Sequence, residues 1–361
     1  MSSLKNKASL SRITEEFPRV IPSLGAIGLG FFVTGVLLFF FGYNPIQAYA
    51  TLFEGAFSDI YSVCSTLNQA TPLIFTGLAI VVAFSANVSN LGGEGQMYLG
   101  AFFAFLMGYG VSLPPVIHIP LTLLAGALGG ALWSLPPIFL KAWGINEIVT
   151  TLMMNEIATL LTSYLTIYFF LEPTALMPET YRIKDTAVLP TMLPRTSLSW
   201  ALVVGLACVA IVYYIVSRTS LGYKIRAVGL SPKAAEYGGI SVKRTWVIAM
   251  LLSGALAGLA GSGITMGLYG RFIPGFSPGY GFKGIVVALT GLVTPIGALF
   301  AAIFFGAIRS GSISMRLTTG IPKEIGGAME GLILVFVSIA YIIEKYYARK
   351  ETGTGGERAG G

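Results

Sequence analysis

The stretch GLSPKAAEYGGISVKR (residues 229–244) separates two long apolar runs with a short polar segment that has the pattern of a capped helix. Ser231 is a favourable N-cap, and Pro232 suits the first helical position. The residues Lys-Ala-Ala-Glu-Tyr continue the helix, and Gly238 and Gly239 end it, as glycine does just past a helix C-terminus. The pattern predicts a helix of under two turns, which by itself is marginal in water.

The composition on both sides of this stretch is typical of a membrane protein. The chain has 361 residues, of which 54% are hydrophobic and 11% charged, whereas soluble domains carry about 25% charged residues. Each charge-free run can hold a span of about 20 apolar residues, the length at which a helix crosses a bilayer. The runs are too long and too uniformly apolar for barrel strands. These runs are 20–53, 60–93, 95–140, 196–217, 245–270 and 284–308.

The apolar runs predict an all-α, polytopic helical bundle with about ten transmembrane helices, some of them short or discontinuous. The transmembrane domain extends over 20–345. We interpret residues 44–64, which contain Glu54 and Asp59, as an external interfacial helix. Because this segment and 283–293 are both ambiguous, the number of transmembrane helices is open by one pair. The predicted spans are 20–41, 66–86, 94–110, 119–140, 147–171, 198–217, 245–268, 283–293, 295–311 and 325–344.

The distribution of charge predicts the orientation. The loop 218–244 has six basic residues and one acid, and the N-terminal segment 1–19 and the Gly-rich tail after Lys345 are also basic. An even number of crossings places all three on one side, which the positive-inside rule makes cytoplasmic. The loop 172–196 is then external, and the tail 346–361 is expected to be disordered. The net charge of +7 reflects this topology, so we expect no nucleic-acid partner.

Five motifs in order carry a family resemblance. They are NLGGEGQMYLGAFFA (90–104), GINEIVTTLMMNEIA (144–158), SPKAAEYGGI (231–240), LSGALAGLAG (252–261) and GFKGIVVALTG (281–291). Together they resemble the permeases of bacterial ABC importers of the branched-chain amino acid, ribose and nucleoside group, most of all the nucleoside-type subfamily. Lys283 and Thr290 depart from the usual family pattern.

The resemblance implies a permease in the plasma membrane of a bacterium or archaeon. Its partners would be two ABC ATPase subunits or one fused tandem ATPase, a second permease in a homo- or heterodimer, an external substrate-binding lipoprotein and membrane lipid. ATP and Mg²⁺ would be bound by those ATPases, because this chain has no Gly-Lys dipeptide and so no Walker A motif. We expect no cofactor, metal ligand or catalytic residue in the chain itself.

The short helix of the opening stretch would be the coupling helix that docks into the ATPase. A simpler interpretation stays open, in which it only links two spans and its charges set the topology. The candidate coupling residues are Ser231, Pro232, Lys233, Ala234, Ala235, Glu236, Tyr237, Gly238 and Gly239.

Polar residues inside spans are costly and are therefore candidates for the substrate path. The segment GGEGQ indicates a discontinuous helix beside a cavity. Alternatively, Glu94 and Glu147 begin spans at the membrane surface, where helix N-termini favour acids, and Asn155 joins helices by hydrogen bonds. The candidates for the substrate path are Asn90, Glu94, Gln96, Asn146, Asn155 and Glu156.

Other features favour structural roles. The small-residue runs AGALGG (125–130) and SGALAGLAGSG (253–263) are typical of close helix packing. His118, the only histidine, is interpreted as an ordinary residue of a Pro-rich loop.

The leading function is import of a nucleoside or a similar small polar solute. Alternatives are a simple-sugar (pentose) importer and a stand-alone secondary transporter or channel, which would not need the loop helix. A membrane enzyme would need a catalytic constellation that the sequence lacks.

Overall fold

The structure is a computed structural model that describes residues 25–340, except 323, 330, 334 and 337. The predicted N-terminal segment 1–19 and tail 346–361 lie outside these residues. The described part is nearly all helical; its only extended pairings are two isolated bridges. The helices are α1 (Gly25–Phe40), α2 (Pro45–Phe57), α3 (Ile60–Ser85), α4 (Gly93–Gly110), α5 (Pro115–Trp133), α6 (Leu135–Ala142), α7 (Glu147–Phe169), α8 (Ala201–Arg218), α9 (Ser220–Leu230), α10 (Pro232–Tyr237), α11 (Val242–Ile264), α12 (Tyr280–Thr290), α13 (Pro295–Thr319) and helical residues over 324–340, here called α14.

Six stretches of the described chain are long and apolar enough to cross a membrane. These are Ile60–Ser85, Pro115–Lys141, Glu147–Phe169, Ala201–Arg218, Val242–Tyr269 and Pro295–Thr319. The α1 and α12 helices are apolar but shorter, and the predicted count of about ten crossings is not confirmed. The chain is thus a multi-pass membrane protein.

The predicted interfacial helix is shorter than expected. The 13 residues of α2 span about 20 Å, less than the hydrocarbon core of about 30 Å. The boundary of the next helix differs from the prediction, since α3 begins at Ile60 and not at 66. Its early start has a local cause, because the Asp59 carboxylate accepts a 2.7 Å hydrogen bond from the Ser62 N–H. That bond also lowers the pKa of Asp59.

The chain divides into two compact units. The described residues of the smaller unit, 25–55 and 311–340, pack around Leu38, Ala48, Met315 and Ile321. The larger unit, 56–310, has its core among α3, α4, α5 and α11. An aromatic cluster that includes Phe102, Phe105 and Phe272 extends this core.

Glycines bring α4, α5 and α11 into backbone contact. A Cβ atom at Gly258 on α11 would lie 2.2 Å from the carbonyl oxygen of Gly126 on α5, and one at Gly100 on α4 would lie 2.3 Å from the Gly258 Cα. Both are far inside van der Waals contact. The small-residue runs therefore serve helix packing, and this prediction is confirmed.

The loop 218–244 contains more helix than the sequence analysis predicted. The expected short helix is present as α10, in which the Ser231 hydroxyl accepts from Ala234 N–H at 3.3 Å and Pro232 occupies the first turn. Gly239 follows with a φ of +78°. The preceding residues 220–230 were not predicted to be helical, yet they form α9, capped by Thr219.

The segment 171–199 crosses the end of the bundle at which α4 ends and α5 begins. Thr180 N–H donates to the Phe272 carbonyl and Lys184 N–H to that of Gly108, both at 3.0 Å. His118 was wrongly predicted to be a loop residue. It is buried on the first turn of α5, where its Nδ1 lies 2.8 Å from the hydroxyl of Thr186, so it fastens this segment to the bundle.

Candidate functional site

The α4 helix begins deep within the bundle. The residues before it, 86–92, are not helical, and within them the Asn90 amide donates to the Ser253 hydroxyl at 2.8 Å. Ser253 lies about three turns into α11, roughly 16 Å from its first residue. Because Ser253 lies that far from the start of α11, α4 begins well inside the bundle and not at its end. The break predicted within GGEGQ is wrong in position, because residues 93–96 form the first turn of α4; the non-helical break is 86–92, immediately before the helix.

Two other predicted site residues hold this break in place. The Asn155 amide oxygen accepts from Gly95 N–H, and its nitrogen donates to the Leu91 carbonyl, each at 2.8 Å. The Gln96 and Asn90 amides bond to each other at 3.0 and 3.2 Å. All three side chains are buried. Their polar atoms thus satisfy the irregular backbone at the start of α4, as the helix-joining interpretation of Asn155 expected.

Glu94 connects α4 to the short helix α12. Its Oε2 atom accepts a 2.7 Å hydrogen bond from Gly281 N–H, in the first turn of α12. The Ser277 side chain and the Gly279 backbone also interact with this carboxylate, and Lys283 attracts it electrostatically. Two helix N-termini, each with a partial positive charge, therefore converge on one buried acid. We call this arrangement the α4–α12 junction.

A polar group that the sequence analysis missed lies beside the junction. The Gln69 amide oxygen accepts from the Tyr280 hydroxyl and from Arg309 Nε, both at 2.9 Å. The Arg309 guanidinium carbon lies 5.3 Å from the centre of the Tyr280 ring, within cation–π range. Gln69, Tyr280 and Arg309 are called the polar triad below. An arginine inside a charge-poor span was the signal that would have revealed it.

A cavity adjoins the polar triad. It has an empty volume of about 370 Å³, including its open mouth, and both Gln69 and Tyr280 line it. Other polar lining groups come from Asn68, Thr71 and Ser199. The space inside it that a water molecule can occupy is only about 30 Å³, room for one or two waters, so the cavity as it stands is narrower than a nucleoside. The cavity combines an aromatic ring, amides and hydroxyls with apolar walls.

The remaining predicted site residues lie apart from this group. Asn146 is exposed and caps α7 through a 2.8 Å bond from Ile148 N–H, and the neighbouring Glu147 pairs with Lys141. This agrees with the interpretation that Glu147 begins a span. Glu156 is exposed, about 2.5 turns into α7.

The α10 helix presents a distinct surface. Leu230 and Tyr237 are 89% and 95% exposed, and Lys233, Ala234 and Glu236 are exposed between them. Ala235, by contrast, is buried within the chain. Ala234 and Tyr237 are three residues apart and share one side of α10, whereas Leu230 is the last residue of α9, before the extended Ser231.

Comparisons with known proteins agree with this architecture. Residues 62–338 match the family model described as the branched-chain amino acid transport system permease component. The chain is 33% identical to the guanosine ABC transporter permease protein NupP of Bacillus subtilis, over 92% of this chain and 96% of that protein. It is 34% identical to the nucleoside ABC transporter permease protein NupB of Lactococcus lactis, over 90% and 92%.

A further relative is named as a sugar permease. The chain is 32% identical to the glucose ABC transporter permease protein TsgB13 of Haloferax volcanii, over 94% of this chain and 90% of that protein. No solved structure matches the chain. None of these three relatives is a stand-alone carrier. By the family match and by these identities, the chain belongs to the family of branched-chain amino acid-type permease components of ABC transporters.

Proposed function

We propose that this chain is the membrane-spanning permease subunit of an ATP-driven importer whose substrate is a nucleoside. Its similarity to the guanosine and nucleoside permeases supports this substrate class. The glucose permease relative supports a sugar as the second candidate, and a nucleoside contains a sugar of its own. In both cases the solute is neutral and polar.

The observation that carries coupling to ATP is the geometry of α10. A six-residue helix with both ends capped gains little stability from its own backbone, and yet it projects Tyr237 almost completely into solvent, as the end of α9 does with Leu230. Such exposed apolar side chains are characteristic of a protein interaction surface. We propose that this face docks on the ATPase subunits, which bind ATP and Mg²⁺.

The remaining parts of the proposal concern topology and partners. Both chain termini and the loop 218–244 are cytoplasmic, and 172–196 is external, as the positive charges favour. A second permease, identical or different, completes the path, and a binding lipoprotein delivers the solute. The exposed Glu156 supports a neighbouring subunit or a water-filled path beside α7, because a charge facing lipid at that depth is costly.

We place the substrate path along the cavity beside the polar triad. The amides and hydroxyls around the cavity suit the polar edges of a nucleobase and a ribose, and the cavity widens to admit them during transport, since Tyr280 is buried in this conformation. Among the earlier candidates, Asn90, Gln96 and Asn155 shape the α4–α12 junction next to this cavity, and Glu94 holds it together.

The test of coupling uses Ala234→Trp, because Ala234 is exposed on α10. The permease is co-expressed with its ATPase and purified by a tag on the permease, and co-purified ATPase and substrate-stimulated hydrolysis are measured. We expect Ala234→Trp to lower both. Glu236→Ala should change them little, since exposed ion pairs contribute about 0–1 kcal/mol. Met177→Trp, on the proposed external side, is the matched control.

Full ATPase recovery and full hydrolysis with Ala234→Trp would mean that α10 only connects spans. Ala235→Trp is unsuitable for this purpose, because Ala235 is buried within the chain and its replacement would disturb the permease itself.

A further inference from the structure

A groove lies on the flank of the bundle between α6 and α11. It has an empty volume of about 760 Å³, open to the surface. Its apolar walls include Ile138 and Phe139 of α6 and Val247 and Ile248 of α11, and Lys243 and Arg244 line it at the start of α11. We call it the basic groove. No acidic residue is among its lining residues in the described chain.

The charges and the apolar surface of the basic groove are arranged in order along α11. Lys243 precedes Val247 by four residues and Arg244 precedes Ile248 by four, so each cation lies on the same helix face as an apolar side chain. The two cations therefore lie about 6 Å closer to the N-terminus of α11 than Val247 and Ile248 do. Neither Lys243 nor Arg244 has an ion-pair partner within the residues that the structure describes.

Contacts behind the basic groove fix its wall. The indole Nε1 of Trp246 donates to the Ala86 carbonyl at 3.2 Å, and the Lys141 ammonium lies 4.5 Å from the centre of the Trp246 ring. Lys141 is itself paired with Glu147. The third basic residue of this region is therefore engaged within the protein, whereas Lys243 and Arg244 line the groove.

We propose that the basic groove binds one anionic phospholipid. Its phosphate lies at Lys243 and Arg244, and an acyl chain lies along Ile138, Phe139, Val247 and Ile248. An amphipathic ligand fits because the groove is cationic at one end and apolar along its walls; a soluble anion would use only the cationic end. Clusters of basic residues at the membrane boundary attract anionic headgroups in this way. Assignment to the inner leaflet rests on the topology given under the proposed function.

The experiment is native mass spectrometry of the complete transporter in a mild detergent, titrated with phosphatidylglycerol or with phosphatidylcholine. The test variant is Lys243→Gln/Arg244→Gln, which removes both charges and keeps polar stems. We expect wild type to retain phosphatidylglycerol preferentially. The double variant should lose this preference, by about fivefold for each charge removed. The matched control is Lys224→Gln/Arg226→Gln, which removes two exposed charges of α9 and should retain it.

A second variant, Val247→Trp, fills the apolar part of the groove and leaves both charges. It should lower retention of both lipids, which a site for a soluble anion would not do, and glycerol phosphate should not compete with the lipid. Unchanged phosphatidylglycerol retention in both groove variants would overturn the proposal, as would equal loss in the α9 control. Because no transport or hydrolysis is measured, the outcome is independent of the substrate and of ATPase coupling.

Discussion

Glu94 and Gly281, which are 187 residues apart in the sequence, are joined by a 2.7 Å hydrogen bond from the backbone N–H of Gly281 to the carboxylate of Glu94. A Cβ atom at Gly281 would lie 2.2 Å from the Glu94 backbone nitrogen, so the two backbones touch as well. The bond thus connects the first turns of α4 and α12. The residues that precede each of these helices are not helical.

Replacing Glu94 by Ala should destabilise the permease. The change leaves the Gly281 N–H without its acceptor in a buried site, which costs about 1–3 kcal/mol; Glu94→Gln keeps an acceptor oxygen and should cost less. Unfolding can be followed with a thiol-reactive dye, because Cys64 and Cys208 are both free and buried. Glu54→Ala, at an exposed position on α2, is the control, and a wild-type melting temperature for Glu94→Ala would contradict the junction's role.

Asn155→Leu should lower the melting temperature of the permease as well as the uptake of the solute. The Asn155 amide satisfies two buried backbone groups, and each unpaired group costs about 1–3 kcal/mol. The same dye assay on Met153→Leu, at an exposed position of α7, provides the comparison. If Asn155→Leu melts like wild type but transports poorly, Asn155 acts on the substrate instead.

Gln69→Leu should reduce nucleoside uptake by about tenfold or more, because it removes the acceptor shared by Tyr280 and the charged Arg309. Tyr280→Phe should be milder, since the ring stays in place. Uptake is measured with radiolabelled guanosine in cells that express the whole transporter, normalised to permease and ATPase levels. Gln47→Leu, exposed on α2, is the control. Normal uptake by Gln69→Leu would remove the polar triad from the path.

Gly258→Ala should destabilise the bundle although it adds a single methyl group. The new Cβ would overlap the Gly126 carbonyl oxygen, and overpacking of this kind costs about 1–3 kcal/mol. Gly28→Ala is matched in chemistry, but nothing lies within 4 Å of its added Cβ, and it should be neutral or slightly stabilising. Equal melting temperatures for the two variants would show that α5 and α11 can separate without cost.

Single cysteines at Lys233 and Met177 should label from opposite sides of the membrane. Both positions are exposed, and the background lacks Cys64 and Cys208. An impermeant maleimide added to intact cells should modify Met177→Cys and spare Lys233→Cys until the membrane is opened. Labelling of both positions in intact cells would refute the proposed topology.

Local signals in the sequence predicted local structure well. Ser231, Pro232 and the two following glycines sufficed to place α10, because caps act over one turn. The Gly-rich runs predicted close packing because a helix face of small residues allows the backbone of a neighbouring helix to approach. The prediction failed for His118 because Pro114 and Pro115 suggested a loop, whereas Pro115 occupies the first position of α5, where proline is favoured.

The candidate site was only partly predictable. Asn90, Glu94, Gln96 and Asn155 were identified because polar residues are rare in apolar runs, but their partners were not, since Ser253 is 163 residues from Asn90. Arg309 lies two residues before the end of the predicted span 295–311, yet α13 continues to Thr319. A charge inside a helix can be distinguished from one at its end only when the three-dimensional partners, here Gln69 and Tyr280, are known.

The position of α4 has a consequence for biogenesis. A ribosome adding about 5–20 residues per second needs roughly 10–30 s to proceed from Asn90 to Ser253, which are 163 residues apart. Throughout that interval the amide of Asn90 lacks the Ser253 hydroxyl to which it donates, although Gln96 and, later, Asn155 are already present. Since α4 is not among the six stretches apolar enough to cross a membrane by themselves, it depends on later-made helices for its place. We therefore expect α4 to enter the bilayer late, sheltered by the insertion machinery until α11 has been synthesised.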